Sequence, residues 1–226
     1  MLKISNKEII DVVKYSDDKA IIVEKKPLGD LNQYKANYFV LNFNNGSKEV
    51  ITKNAYLLKK FGSSFEKISD TIANYVQCDA SVLPNRNCII VFPNGQAGLF
   101  NNEGNVKWNG ELVYNENPVS GIAIDGDYFW SCCTGQNCVI RYNADNIKVD
   151  LRIGGKDANT FIRPTFVSAD DKYIYVCCDN IKVRKIDKSN FTVSDINRSY
   201  VGLKKFYKYG RFSIVCTSDG AYIDKD

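Results

Sequence analysis

One unit recurs five times along the 226 residues: an apolar strand, a short polar turn, and a second, more strongly apolar strand. The turns are Asp17-Asp18, Asn85-Arg86, Asp125-Gly126, Asp170-Asp171 and Tyr209-Gly210. Asx and Gly residues supply the backbone freedom that two-residue hairpin loops require. The strands that follow, Lys19–Glu24, Asn87–Phe92, Asp127–Cys132, Lys172–Cys177 and Arg211–Cys216, align without gaps. Strand side chains alternate between faces, so apolar residues at both odd and even positions mean that these strands are covered on both sides. After a longer first interval the turns recur at about 40 to 45 residues, the period of a four-stranded propeller blade.

A third strand follows in each copy, at Tyr38–Phe43, Ala97–Phe100, Val139–Tyr142, Lys182–Asp187 and Ala221–Ile223. Four copies continue into a more polar fourth strand, and the fifth stops at Asp226 without one. Leu2–Asn6 supplies the missing strand, which predicts an all-β, five-bladed β-propeller with its N-terminal strand closing the last blade and removing the open sheet edge. The expected boundaries within a single domain, 1–226, are blade 1 at 8–53, a helical insertion at 54–74, blade 2 at 75–115, blade 3 at 118–155, blade 4 at 163–200, and blade 5 at 201–226 plus 1–6. The insertion carries a capping-box spacing at Ser63-Ser64-Phe65-Glu66, with Phe65, Ile68 and Ile72 at helical intervals, so a short helix is expected from Ser64 to Asn74.

Hydrophobic residues at 44% and charged residues at 25% exclude a disordered or fibrous chain. The net charge of +4 is dispersed and makes nucleic acid a disfavoured partner. The first residues are interrupted by charges, and no apolar run reaches membrane-spanning length, so a cytoplasmic monomer with no membrane contact is expected. The 8 cysteines fit that compartment, because several occupy apolar strand positions as small hydrophobes. The richness in Asn, Lys and Ile suggests a bacterial source.

In the third copy, Pro118–Asp125, then Thr134–Tyr142, then Ile153-Gly154-Gly155 resemble an NHL-repeat blade. The fourth copy follows more loosely, through Arg163–Val167 and Tyr173–Val176, so the likeness covers about a third of the chain. It implies a propeller fold and no particular function, since such blades serve unrelated roles. NHL-type propellers commonly have six blades, against five here. The lyases of this kind rely on histidine, which this chain lacks.

In a propeller the second-to-third-strand loops and the inter-blade loops share one face around the channel mouth, where ligands gather. Blade 1 has the longest of each, Lys25–Ala36 and Asn54–Tyr75. The ligand-binding residues expected at this mouth are Glu24, Lys25, Lys26, Phe92, Cys132, Gln136, Asn137, Arg163, Cys177, Asp179, Asn180 and Cys216. The last second-strand positions, Glu24, Phe92, Cys132, Cys177 and Cys216, are expected to encircle the channel. Three cysteines and a carboxylate suggest a soft-metal site, but no CxxC pair exists, and core packing is the reading adopted. Glu24 is expected to be solvated or paired with Lys25, Lys26 or Arg163. No motif asks for a cofactor.

The carboxylates Asp11, Glu24, Asp79 and Asp179 are the candidates for paired-acid glycoside chemistry, and their irregular placement argues against it. Tyr34, Tyr56, Trp108, Tyr114 and Phe161 lie in or near loops where rings stack on sugars or partners. Lys25-Lys26, Lys59-Lys60 and Lys204-Lys205, with Lys208 and Arg211, form the basic groups that an RNA-binding role would use. The reading adopted is a non-enzymatic binding module that presents a rigid loop face to an unidentified protein or small polar ligand. The alternatives are a carbohydrate-binding or glycoside-processing propeller, then an RNA-binding one.

Overall fold

A computed structural model describes residues 1–28, 33–62 and 79–225, without the side chains of 27, 28, 33 and 34. Among these residues five four-stranded antiparallel sheets form the blades of a propeller. Blade 1 is β2 (Ile9–Ser16), β3 (Lys19–Leu28), β4 (Gln33–Asn42) and β5 (Lys48–Val50). Blade 2 is β6 (Asp79–Val82), β7 (Cys88–Val91), β8 (Gln96–Phe100) and β9 (Val106–Glu111). A small hairpin, β10 (Val113–Tyr114) with β11 (Asn117–Pro118), precedes blade 3, which is β12 (Ser120–Asp125), β13 (Tyr128–Cys133), β14 (Cys138–Asn143) and β15 (Val149–Gly154). Blade 4 is β16 (Pro164–Ala169), β17 (Tyr173–Cys178), β18 (Lys182–Asp187) and β19 (Val193–Ser199). Blade 5 is β20 (Leu203–Tyr209), β21 (Phe212–Thr217) and β22 (Gly220–Lys225), completed by β1 (Leu2–Ser5).

The second strand of each blade is buried on both faces because each sheet packs against two neighbours. The cores therefore lie between blades. Phe129 and Ile140 of blade 3 pack with Leu83 and Leu99 of blade 2, while Trp130 on the opposite face packs with Val167 and Val176 of blade 4. Phe206 of blade 5 meets Tyr175 of blade 4, and Ile214 and Ile223 meet Ile22 and Leu41 of blade 1. Each large apolar side chain buried in this way contributes about 1.5–3 kcal/mol.

The fifth junction is built differently. Helix α1 (Lys53–Phe61) stands between blades 1 and 2: Leu57 and Phe61 pack on Ala80, Cys88 and Ile90 of blade 2, and Tyr56 also meets Val13 and Val23 of blade 1. Thr52 caps its start by accepting the Ala55 N–H at 3.1 Å. Gly62, at φ +64°, ends it by donating its N–H to the Leu58 carbonyl. The expected helix at Ser64–Asn74 lies outside the described residues. The helix that is described begins eleven residues earlier, within the segment read from sequence as connection. Its signal was the Leu57/Phe61 spacing of four behind a Thr cap, obscured by the lysines on its other face.

A second departure concerns blade 1. The segment Lys25–Ala36, read as the longest loop, is mostly a paired ribbon, with Lys25 opposite Ala36, Lys26 opposite Lys35, and Leu28 opposite Gln33. Ribbon strands satisfy one another's backbone groups without an apolar face, so polar composition alone does not mark them as loop.

Closure is by pairing of β1 with β22, Leu2 opposite Ile223 and Ser5 opposite Ala221. Lys48 of blade 1 donates to the Ile4 carbonyl, and Arg198 of blade 4 pairs with the buried Asp224 carboxylate, so β1 and β22 are also held from neighbouring blades. Gly220 sits at φ +139° where a Cβ would lie 2.1 Å from the Ser5 carbonyl oxygen. Gly220→Ala combines backbone strain with a clash into β1 and is expected to cost about 3 kcal/mol in urea denaturation. Gly210→Ala, at φ +56° with nothing within 4 Å, is expected to cost about 1 kcal/mol. Equal losses at the two positions would show that β1 pairing does not carry the closure.

Candidate functional site

The free edges of the five innermost strands, β2, β6, β12, β16 and β20, enclose a central cavity of about 1100 Å³. It runs from Lys35 and Ala36 at the base of the blade-1 ribbon to the turns at Gly126, Asp171 and Gly210. An inner edge strand exposes unpaired backbone groups, and neighbouring blades supply polar partners to several of them. Asp79 of blade 2 accepts the Gly121 N–H of blade 3 at 2.9 Å. Thr134 of blade 3 donates to the Pro164 carbonyl of blade 4 at 2.6 Å, and Ser168 of blade 4 donates to the Phe206 carbonyl of blade 5 at 2.5 Å. Lys205 of blade 5 donates to the Ile10 carbonyl of blade 1. Between blades 1 and 2 the corresponding link runs through α1: Tyr56 donates to Asp11 Oδ2 at 2.8 Å, and Lys60 pairs with the same oxygen.

Asp11 and Lys60 are largely enclosed, with side-chain exposures of 19% and 16%. Burial pushes the Asp11 carboxyl upward, but the Lys60 ammonium, the Tyr56 hydroxyl and the Lys205 charge outweigh it and hold it below 3.8. Asp11 also raises the Lys60 ammonium, against the opposing effect of burial. At the far end Asp125 accepts from Trp130 Nε1 at 3.0 Å and pairs with Lys188 at 3.1 Å. Two ion pairs, Asp11 with Lys60 and Asp125 with Lys188, thus stand in the cavity wall, while Lys35, Lys53, Asp79 and Asp171 line it without an ion-pair partner among the described residues. Polar side-chain atoms on residues lining it that have no hydrogen-bond partner among the described residues include the second Asp79 oxygen and the hydroxyls of Tyr207 and Tyr209, along with Ser81, Lys35, Lys53 and Asp171. Burial drives both phenols well above their ordinary value, which keeps them protonated donors.

None of the twelve residues expected at the mouth is among those lining this cavity. Glu24, Cys132, Cys177 and Cys216 sit on second strands, one layer behind the innermost ones; Cys177 pairs in register with Phe166, and Cys216 with Lys205. All three thiols are buried, and burial pushes them upward, Cys216 to about 12. Among the described residues no three His, Cys, Asp or Glu side chains converge as metal ligands. Glu24 is 7% exposed and lies 3.7 Å from both Lys7 and Lys48, rather than pairing with Lys25, Lys26 or Arg163. Lys25 instead pairs with Glu8 at 3.1 Å. Lys26 is exposed, and Phe92 packs beside Phe61 and Cys88.

The remaining five form one patch on the loop face of blades 3 and 4. Asn137 Oδ1 accepts the Arg163 N–H at 3.0 Å, Arg163 lies 3.9 Å from Asp179, and the Asn180 carbonyl accepts the Leu203 N–H at 2.8 Å, while Gln136 is buried in the adjoining 3-10 turn. Asn137, Arg163, Asp179 and Asn180 all have φ between +46° and +56°, a concentration of left-handed backbone that clusters at sites where geometry is over-determined. Exposed Ile162, Ile181 and Val201 border the patch.

Of the candidate carboxylates, Asp11 and Asp79 line the cavity, and Glu24 and Asp179 do not. The lysine doublets do not form one solvated face, since Lys60 and Lys205 turn inward onto Asp11 and Ile10. Among the aromatic candidates Tyr56 lines the cavity, Phe161 is core, Trp108 and Tyr114 pack on the blade 2–3 cluster, and the Tyr34 side chain is outside the described residues. Sequence reasoning passed over Tyr207 and Tyr209 as cavity residues and read Lys60 only as part of a basic doublet. The available signal was Asp11, a charge inside the innermost strand Ile10-Asp11-Val12, which requires a buried partner.

Lys60→Met strands the Asp11 carboxylate and is expected to cost about 3–5 kcal/mol in urea denaturation, with most of it recovered in Asp11→Leu/Lys60→Met. Because the folded Asp11 value is depressed, its contribution is present above 3.8 and lost as pH falls below 3.8 through the folded value. Asp11→Asn should therefore flatten the acid side of the stability profile; an unchanged slope would remove Asp11 from the explanation.

No protein-family model matches the chain, and no curated protein matches it. Solved structures match its fold. YCF48 from Cyanidioschyzon merolae aligns over 97% of this chain and 69% of its own, with a TM-score of 0.52 at 14% identity. Sqt1 of Saccharomyces cerevisiae aligns over 96% of this chain with a TM-score of 0.50 at 13% identity, and this chain spans 58% of its length. The computationally designed Ika4 protein aligns over 65% of this chain and 88% of its own, with a TM-score of 0.51 at 8% identity. At these identities the similarity is one of fold: the chain shares the β-propeller architecture.

Proposed function

We propose that the protein is a non-enzymatic binding module that holds a small polar ligand in its central cavity. The observation that carries this reading is the cavity's chemistry. About 1100 Å³ is slightly above the usual range of ligand-site volumes, and the wall combines aromatic surface with polar atoms. Part of its charge is tied up in the Asp11–Lys60 and Asp125–Lys188 pairs, and Asp79 Oδ1, Tyr207 and Tyr209 offer one acceptor and two donors. That set suits a hydroxylated molecule. A rigid wall of strands costs little ordering on binding.

A second reading, docking of a protein segment on the loop face, is favoured by the patch at Asn137, Arg163, Asp179 and Asn180 with its border of exposed Ile162, Ile181 and Val201. The two readings separate by mutation, because Arg163→Ala touches nothing in the cavity. The NHL likeness of blades 3 and 4 adds a family expectation to the fold without choosing between them.

Thermal-shift screening against sugars, polyols and other polar metabolites tests the cavity reading. A ligand at a hundred times its Kd should stabilise the protein by about 2.7 kcal/mol. The shift is expected to fall sharply in Asp79→Asn and Tyr207→Phe and to persist in Arg163→Ala. Saturable binding lost only in Arg163→Ala would move the site to the loop face.

A further inference from the structure

Two cysteines are set apart from the rest by their geometry. Cys133 ends β13 and Cys138 begins β14, and the two are direct cross-strand partners joined by the four residues Thr134–Asn137. Directly opposed residues in an antiparallel pair have Cα atoms about 4.5 or 5.5 Å apart, both within the range a disulfide spans. Their side chains share one face, and the Cys138 thiol donates to the Cys133 sulfur. The other adjacent thiols lack this arrangement: Cys132 with Cys133, and Cys177 with Cys178, are neighbours along single strands whose side chains leave opposite faces.

The surroundings also single out Cys133. Of the six described cysteines with a resolved shift, it alone is held down. The Cys138 donor is the main cause and the Gln136 N–H assists, against the effect of burial. Its sulfur also lies 3.9 Å from the Tyr114 carbonyl and 3.8 Å from the Asn117 carbonyl, so the small hairpin β10–β11 is the lid over it. Both thiols are fully buried beneath it, so a small oxidant reaches them only when that hairpin opens.

We infer that Cys133 and Cys138 form an oxidation site, with Cys133 the attacking and Cys138 the resolving sulfur toward hydrogen peroxide. In the first step the Cys133 sulfur bonds to one peroxide oxygen, the O–O bond breaks, and water leaves with the thiol proton. In the second the Cys138 sulfur attacks the sulfenic sulfur, the S–S bond forms, the S–O bond breaks, and a second water leaves. Two thiols are oxidised to one disulfide as one peroxide is reduced to two waters. The bond staples the turn Thr134–Asn137, which anchors blade 4 through Thr134 and Pro164 and the loop-face patch through Asn137 and Arg163.

The test is native-state treatment of the full chain with hydrogen peroxide, followed by alkylation and peptide mass spectrometry. The expected product has lost two hydrogens, shows suppressed backbone fragmentation between 133 and 138, and is restored by reductant. The loss should persist in Cys132→Ser and vanish in Cys133→Ser and Cys138→Ser, with Cys138→Ser instead giving a dimedone-trapped sulfenic acid at Cys133. The fragmentation pattern of the unsubstituted chain answers the question even where a variant does not fold. A cross-link between Cys132 and Cys178, earlier oxidation at Cys177, or an unmodified 133–138 pair after other thiols have reacted would each overturn the assignment.

Discussion

A blade buried on both faces has no stable existence outside a ring, and this is the constraint on which the rest of the molecule depends. Each core cluster is shared by two sheets, so no blade owns the apolar surface that stabilises it. Placing β1 beside β22 gives blade 5 its fourth strand and ties the first residues to the last sheet. It leaves five edges facing inward around the cavity. Those edges explain the polar character of the channel, since Asp79, Ser168 and Lys205 are positioned as partners for inner-strand backbone groups of the next blade.

The architecture was legible because its signal is repetitive. A double-sided apolar second strand after a turn appears five times, and a five-times-repeated weak pattern is stronger than any single motif. The third-strand assignments fall within a few residues of β4, β8, β14, β18 and β22, and Leu2–Asn6 was recognised as the missing strand. What failed lies where the repeat is interrupted. The ribbon at Lys25–Ala36 and helix α1 both belong to blade 1 and its exit. In both, polar residues that look solvated are engaged in pairing: Lys25 in a ladder and an ion pair, Lys60 on Asp11.

The site was less legible than the fold for a geometric reason. Sequence register identifies which residues share a height on the propeller, and it aligned Glu24, Cys132, Cys177 and Cys216 on that basis. It does not by itself say how far each lies from the axis. The second strand stands behind the first, so residues of the right height are in the wrong layer. The loop residues Asn137, Arg163, Asp179 and Asn180 do lie together at the seam between blades 3 and 4, because loops have no layer.

The irregular junction and the polar cavity are two aspects of one choice. At three of the five junctions the blades meet through apolar contacts with a hydrogen bond across each, joined between blades 3 and 4 by the Asp125–Lys188 ion pair, and at the closing junction a lysine reaches a carbonyl. Between blades 1 and 2 a helix is interposed, and the cost of filling that gap with Tyr56 and Lys60 is offset by Asp11. A buried carboxylate placed there for structural reasons puts a neutralised ion pair into the channel wall. Asp79, on the innermost strand of blade 2, keeps its second oxygen uncommitted. Function in such a ring is expected where polar atoms remain once the edges are satisfied, here beside the irregular junction and at Tyr207 and Tyr209 of blade 5.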